Sequence, residues 1–257
     1  MMIRTARTAR LAAVCMLAAW GSPVTAAAAA LATYEAQYEV EYKGRRVGES
    51  ELSMSFDSAA DRYVFESRTE ARGIARLLRP KPAIERSEFV VHDGMIRPLE
   101  FRFEDGSRKG EDNVDIAFDW NENKAAVTSE DGVAEFALTP GVLDRASLQA
   151  ALMRDLSRER DPGPYVLVDE DALKTYRYSV GERRAVETGA GRFDAVAVEQ
   201  VREGSSRTTL LWLAPKLDYL PVRIEQYRDG ELHMSMTLES YSGLEKGSGP
   251  FSDEKGP

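Results

Sequence analysis

Apolar and polar residues take turns along most of this chain. From Tyr34 to Tyr42 the even positions Tyr34, Ala36, Tyr38, Val40 and Tyr42 oppose Glu35, Gln37, Glu39 and Glu41. Nine residues of unbroken period two predict a half-buried strand. After the turn KGRR, a second run places Leu52, Met54 and Phe56 on one face. A third, after DSAAD, sets Tyr63, Phe65, Ser67, Thr69 and Ala71 against Val64, Glu66, Arg68, Glu70 and Arg72.

The pattern continues through Glu85 to Val91, Met95 to Glu104 and Asn113 to Trp120, then two short runs ending at Leu138. Later candidates are Ala172–Arg183, Arg192–Arg202, Thr208–Ala214, Pro221–Arg228 and Glu231–Tyr241. Short turns rich in Gly, Asp and Asn between them imply antiparallel neighbours. Pro215 and Pro221 flank KLDYL and are expected to keep it out of central strand pairing.

One interval changes period. After Thr139-Pro140-Gly141, Leu148, Leu152 and Leu156 recur every four residues beside Ala151, while Arg145, Arg154, Asp155, Arg158 and Glu159 fall elsewhere. This predicts an amphipathic helix over about 143–158, stopped before Pro162-Gly163-Pro164. A weaker helical piece is GIARLLR, residues 73–79. Residues 244–257 carry no period and read as a disordered tail.

Ten or more such strands must each hide one face, and a flat sheet cannot cover its own apolar side. The expectation is an all-β fold with one main helix: a single domain over 27–243 whose antiparallel sheet is curved or closed. A barrel or half-barrel, lipoprotein-carrier-like or lipocalin-like in architecture, would lay the helix across its concave side.

The first residues have a different character. Arg4, Arg7 and Arg10 precede the apolar run Leu11 to Gly21 and a stretch of small residues. That is the layout of a secretory signal peptide over 1–26, with cleavage after Ala26, Ala28 or Ala30. The run is shorter than the ~20 residues a spanning helix needs. Cys15 is the sole cysteine and follows Val14 near the start of the run, so lipidation is not expected. A periplasmic location follows as the expectation. Loss of the three leader arginines takes the formal net charge from −9 to −12. Such a balance argues against nonspecific nucleic-acid binding. A processed chain without cysteine has no disulfide or thiol chemistry.

Catalytic signals are thin. His92 falls in a turn and His233 on the polar side of its strand, too few for a histidine metal site. Gly48-Glu49-Ser50-Glu51 ends in Leu52, so no nucleophile elbow is present. GAGRFD, Gly189 to Asp194, lacks a third glycine and precedes a strand, so it reads as a hairpin turn. Carboxylates are plentiful but alternate outward. The expectation is no enzyme, no cofactor and no metal.

Two groups carry binding readings. Tyr38, Tyr42, Phe65, Phe118, Trp120, Trp212, Met234 and Met236 either fill the core or line an apolar ligand site. Arg72, Arg76, Arg79, Lys81 and Arg86 surround Ile74, Leu77 and Leu78, a local reversal of charge sign. This loop either meets anionic lipid or an acidic partner, or is a covering segment with solvated arginines.

Five stretches resemble bacterial envelope proteins classed as domain-of-unknown-function family 3108. They are YEAQYEVEYKGRRVG, LDRASLQAALMRDL, and GRFDAVAVEQV with TTLLWLAPKLDYLPVRIEQ and DGELHMSMTLES. The resemblance spans about Tyr34 to Gly243 and is most specific at WLAPKLDYLPVRI. It implies an exported, mostly β protein without an assigned activity and supplies no site residues. The leading functional expectation is noncatalytic binding of an apolar or amphipathic envelope molecule, a lipid or precursor, gated by the helix. A second is an envelope assembly or interaction factor with a filled core, its partner an envelope protein or the membrane surface. A third is an outer-membrane barrel.

Overall fold

The structure is a computed structural model and describes residues 31–202 and 206–244. The leader over 1–26, Cys15 and the tail beyond Leu244 lie outside the described residues.

Eight strands come first: β1 Tyr34–Tyr42, β2 Arg45–Asp57, β3 Arg62–Ala71, β4 Ala83–His92, β5 Met95–Glu104, β6 Val114–Asp119, β7 Lys124–Ser129 and β8 Gly132–Ala137. A two-residue strand, β9 Val142–Leu143, leads into helix α1, Arg145–Ser157. Then follow β10 Tyr165–Val168, β11 Leu173–Thr188, β12 Gly191–Arg202, β13 Arg207–Ala214, β14 Leu220–Arg228 and β15 Glu231–Ser242. Each long alternating run of the sequence forms a strand. The two strands the pattern does not reveal, β9 and β10, are short and apolar on both faces, so neither shows a period.

All fifteen strands form one sheet. Sheet neighbours are sequence neighbours with one exception: β1 pairs with β15, bringing the first and last strands together at the sheet's middle. The sheet edges are β8 and β9, so hydrogen bonding does not close the barrel. Curvature brings β9 against β5 instead. The expectation of a wholly antiparallel sheet needs one correction: β9 and β10 run parallel.

The inward face carries the core. Tyr34, Ala36, Tyr38 and Val40 of β1, Leu52 and Met54 of β2, Phe89 of β4 and Ile116 of β6 are all buried. Each large apolar side chain so hidden contributes about 1.5–3 kcal/mol before chain ordering is charged against it. The outward face keeps Glu51, Arg68 and Glu70 in solvent.

α1 departs from its expected amphipathic form. Ala146, Ser147, Leu148, Ala150, Ala151, Leu152, Met153 and Leu156 are all buried, leaving no broad solvated stripe. The reason is its position. The helix touches β3, β4, β5 and β10, so the sheet wraps around it. Part of its apparent polar face is covered too: Arg145 and Glu159 stay exposed, but the Arg154 and Asp155 side chains are only 11% and 13% exposed and pair with each other at 3.0 Å. Arg154 also donates to the Gly94 carbonyl at 3.1 Å, and the Tyr165 hydroxyl donates to Asp155 at 2.7 Å. These polar ends are satisfied inside the fold.

The proline-flanked segment folds as expected except at its last residue, Leu220, which pairs with Ala214. Lys216 to Tyr219 form a turn, with Asp218 and Tyr219 both at positive φ. Pro221 lies near the start of β14, opposite Leu213. A bulge between Trp212 and Leu213 accommodates it, and its carbonyl accepts the Tyr38 hydroxyl at 2.8 Å.

Candidate functional site

Residues paired across strands lie at one level on one face, so the registers define rows on the concave side. One row runs Val198, Leu211, Ile224, Met236, Val40, Gly48 and Ala71, from β12 through β15 and β1 to β3. Five aliphatic or thioether side chains give way to a glycine and an alanine. Nearer the core, Leu213, Val222 and Leu238 are sealed at 0% exposure. In the row itself Leu211, Ile224 and Met236 are only half-buried.

The next row outward is more polar. It runs Tyr178, Gln200, Thr209, Gln226, Met234 and Tyr42. The Gln200 side-chain amide donates to the Tyr178 hydroxyl at 2.5 Å, and the Tyr178 ring stands edge-on to Tyr165 with centroids 5.6 Å apart. Burial raises the Tyr178 phenol above its ordinary pKa, partly offset by the Gln200 bond. An apolar shelf below a polar rim, on a face partly open to solvent, suits an amphipathic molecule.

A second polar group surrounds the start of α1. Asp144 is the N-cap: one carboxylate oxygen accepts the backbone N–H of Ala146 and Ser147 at 2.9 and 2.8 Å. Its other oxygen accepts the Ser87 hydroxyl of β4 at 2.7 Å. The Ser147 hydroxyl accepts the Asp144 N–H at 3.1 Å and completes a capping box. Burial pushes the Asp144 carboxyl up to about 6, against the lowering effect of the Ser147 and Ser87 bonds and with help from nearby Glu85. Glu85 is half-buried; burial raises its carboxyl pKa and nearby Arg145 holds it back. The Arg145 guanidinium lies 4.7 Å from the Phe103 ring centre and 5.3 Å from that of Phe101. With Asp144 at 0% exposure and both oxygens occupied, this group is a structural joint with no room for a reacting molecule.

The structure divides the sequence-derived apolar residues. Tyr38, Phe65 and Phe118 are buried core residues. Met236 lies on the shelf and Met234 on the rim. Tyr42 ends the rim, 44% exposed, with its ring edge-on to His233 at 5.0 Å. Trp120 closes β6 and donates to the Pro98 carbonyl at 2.7 Å. Trp212 faces the other way. Its register partner Arg223 alternates with Ile224, so the indole sits on the convex side, away from Met236. There the Arg184 guanidinium stacks 3.8 Å from its ring centre, and its N–H donates to Glu225 at 3.2 Å. Trp212 therefore does not join the concave row. The alternation does not single out Leu211, Ile224 or Tyr178. Alternation within β11, β13 and β14 marks their shared face, but only register sets them side by side.

The basic residues also divide. Arg72, Arg76, Arg79 and Lys81 belong to the β3–β4 connection, whose Gly73–Leu77 forms a 3₁₀ turn in place of the expected helical piece. Arg86 does not belong to it. It projects from β4 into ion pairs with Glu66 at 3.1 Å and Glu88 at 2.9 Å. A narrow crevice of about 250 Å³ also lies where Met95 and Ile96 of β5 meet Val142, Leu143 and Tyr165. No group of His, Cys, Asp and Glu among the described residues could hold a metal ion.

A family described as "Protein of unknown function (DUF3108)" matches residues 37–237. No curated protein matches the chain. Among solved structures it is similar to a β-barrel-like protein of a domain of unknown function, DUF1849, from Brucella abortus. That pair is 12% identical over 82% of this chain and 97% of the other, with a TM-score of 0.47. A candidate lipoprotein from Parabacteroides distasonis ATCC 8503 is 12% identical over 82% of this chain and 95% of its own, with a TM-score of 0.36. A candidate exported protein with a YmcC-like fold from Bacteroides fragilis NCTC 9343 is 11% identical over 81% and 95%, with a TM-score of 0.35.

Proposed function

The chain belongs to the DUF3108 family, whose description assigns no activity, and on that premise we propose that it is an exported, periplasmic protein that binds an amphipathic envelope molecule without catalysis. The supporting observation is the concave shelf. Leu211, Ile224 and Met236 stay partly open on adjacent strands while the level beneath them is sealed. An acyl or ring portion would lie along this row, and its polar end would reach Gln200, Thr209 and Gln226 at the rim. At the row's far end the β3 backbone closes in on Gly48, where a Cβ would lie 2.4 Å from the Glu70 carbonyl oxygen, so the open part of the row is Leu211, Ile224 and Met236.

α1 is not a gate in this reading: it packs against β3, β4, β5 and β10. Its buried residues hold it inside the sheet, so a gate that swings away would have to break the core. The export signal read in the leader supports the periplasmic location. An outer-membrane barrel is disfavoured because a lipid-facing wall must be apolar, whereas Glu51, Arg68 and Glu70 face outward and the sheet keeps two free edges.

The test is to purify the processed protein, extract it with organic solvent and identify any lipid by mass spectrometry, then titrate it with a fluorescent fatty acid. Leu211→Glu and Met236→Glu should each weaken uptake at least tenfold while circular dichroism stays unchanged. Folded protein that carries no amphiphile and takes up none would end this reading.

A further inference from the structure

We propose that the β3–β4 connection is a preformed tip that docks the protein on the surface of an anionic bilayer. Among the described residues Ile74, Leu77 and Leu78 are the most exposed large apolar side chains apart from Val133, at 83%, 71% and 78%. A single exposed leucine needs no explanation, but three on one short turn form a patch.

This turn is held in shape. The Arg79 guanidinium donates to the Asp105 carboxylate and, at 2.9 Å, to its carbonyl. Asp105 is buried and in turn accepts the Ser107 N–H at 2.9 Å, while its own N–H donates to Asn113 at 2.9 Å. The Lys81 N–H donates to the Gly106 carbonyl at 3.1 Å. Gly106 has a φ of +70°, and a Cβ there would lie 2.5 Å from the Lys81 carbonyl oxygen, so only glycine lets the two loops approach. At the other end Arg72 pairs with Glu49 and its N–H donates to the Val47 carbonyl. The apolar tip is thus presented at little ordering cost.

Charge selects the occupant. Among the described residues, Arg76 and Lys81 make no ion pair, nor does Arg108 in the adjoining loop. Free cations beside a protruding apolar turn, in a chain of net charge −9, match the interfacial zone of a membrane rich in anionic headgroups. A protein partner fits less well. Three side chains on a convex turn cover far less than the roughly 800 Å² per partner that stable protein interfaces bury. The tip also follows Ala71, the last residue of the concave row, so it would hold that row's open side near the lipid surface.

The experiment is co-sedimentation of the processed protein with vesicles of phosphatidylcholine alone or mixed with phosphatidylglycerol. The mixed vesicles should retain it at least tenfold better, and raised salt should release it. Leu77→Asp with Leu78→Asp, and separately Arg76→Glu with Lys81→Glu, should each reduce retention at least tenfold. An environment-sensitive dye on Ile74→Cys should shift to the blue only with the mixed vesicles. Met236→Glu, which tests the concave site, should leave retention unchanged, so failure of one reading is distinguishable from failure of the other. No retention by mixed vesicles, or retention untouched by both pairs of substitutions, would overturn the proposal. Capture by soluble polyglutamate with vesicles ignored would overturn it too and assign the tip to an acidic protein.

Discussion

The Ser87 hydroxyl donates to the Asp144 carboxylate at 2.7 Å and joins the middle of β4 to the first turn of α1. The two residues are 57 positions apart and both are 0% exposed. The same carboxylate caps the helix, so one buried side chain fixes where α1 begins and where it sits in the sheet. A charge in that position has a cost that depends on pH.

Burial holds the Asp144 carboxyl at about 6 in the fold, well above the ordinary aspartate value. A raised acid binds its proton more tightly in the folded state, so its contribution favours folding at low pH. That contribution, roughly 3 kcal/mol, is lost as pH rises from about 4 through about 6. Asp105, Asp169 and Glu88 are shifted down and act in the opposite sense, losing stability as pH falls through their folded values. The comparison with Asp144→Asn isolates the one term, because asparagine also caps helices. Urea titrations between pH 4 and 7 should show the wild type losing stability relative to the variant as pH rises. Parallel curves would refute the assignment.

Leu152 sits on α1 at 2% exposure. Leu152→Ala should cost about 2–5 kcal/mol, as for a cavity in a packed core. Thermal unfolding measures this directly. A loss below about 1 kcal/mol would mean the helix is a loosely attached lid.

Arg184 covers the Trp212 ring on the convex face. Arg184→Ala should remove about 0.5–2 kcal/mol and expose one edge of the indole. Besides Trp20 of the leader, the chain has only Trp120 and Trp212, so the processed protein reports the change as a red shift of tryptophan emission. An unchanged spectrum would place Trp212 away from Arg184.

The sequence by itself determined the strands, because period two is a local property of consecutive residues. β1 occupies the nine residues whose alternation marks it, and β5 and β15 begin where their turns end. It also marked α1 through Leu148, Leu152 and Leu156. The family resemblance, too, was legible in its most specific segment, WLAPKLDYLPVRI, which folds as the end of β13, a turn and the start of β14.

Tertiary structure decided the rest. Alternation says that a strand has two faces but not which side its neighbours make concave, so Trp212 and Met236, both apolar, end on opposite sides. Pairing of β1 with β15 joins Tyr38 to Leu238 across two hundred residues, a choice made by packing and not by any local signal. Arg154 and Asp155 look like the solvated side of a helix until the sheet folds around them and they satisfy each other. Local chemistry sets which elements form; which face is covered depends on long-range contacts that no window of sequence contains.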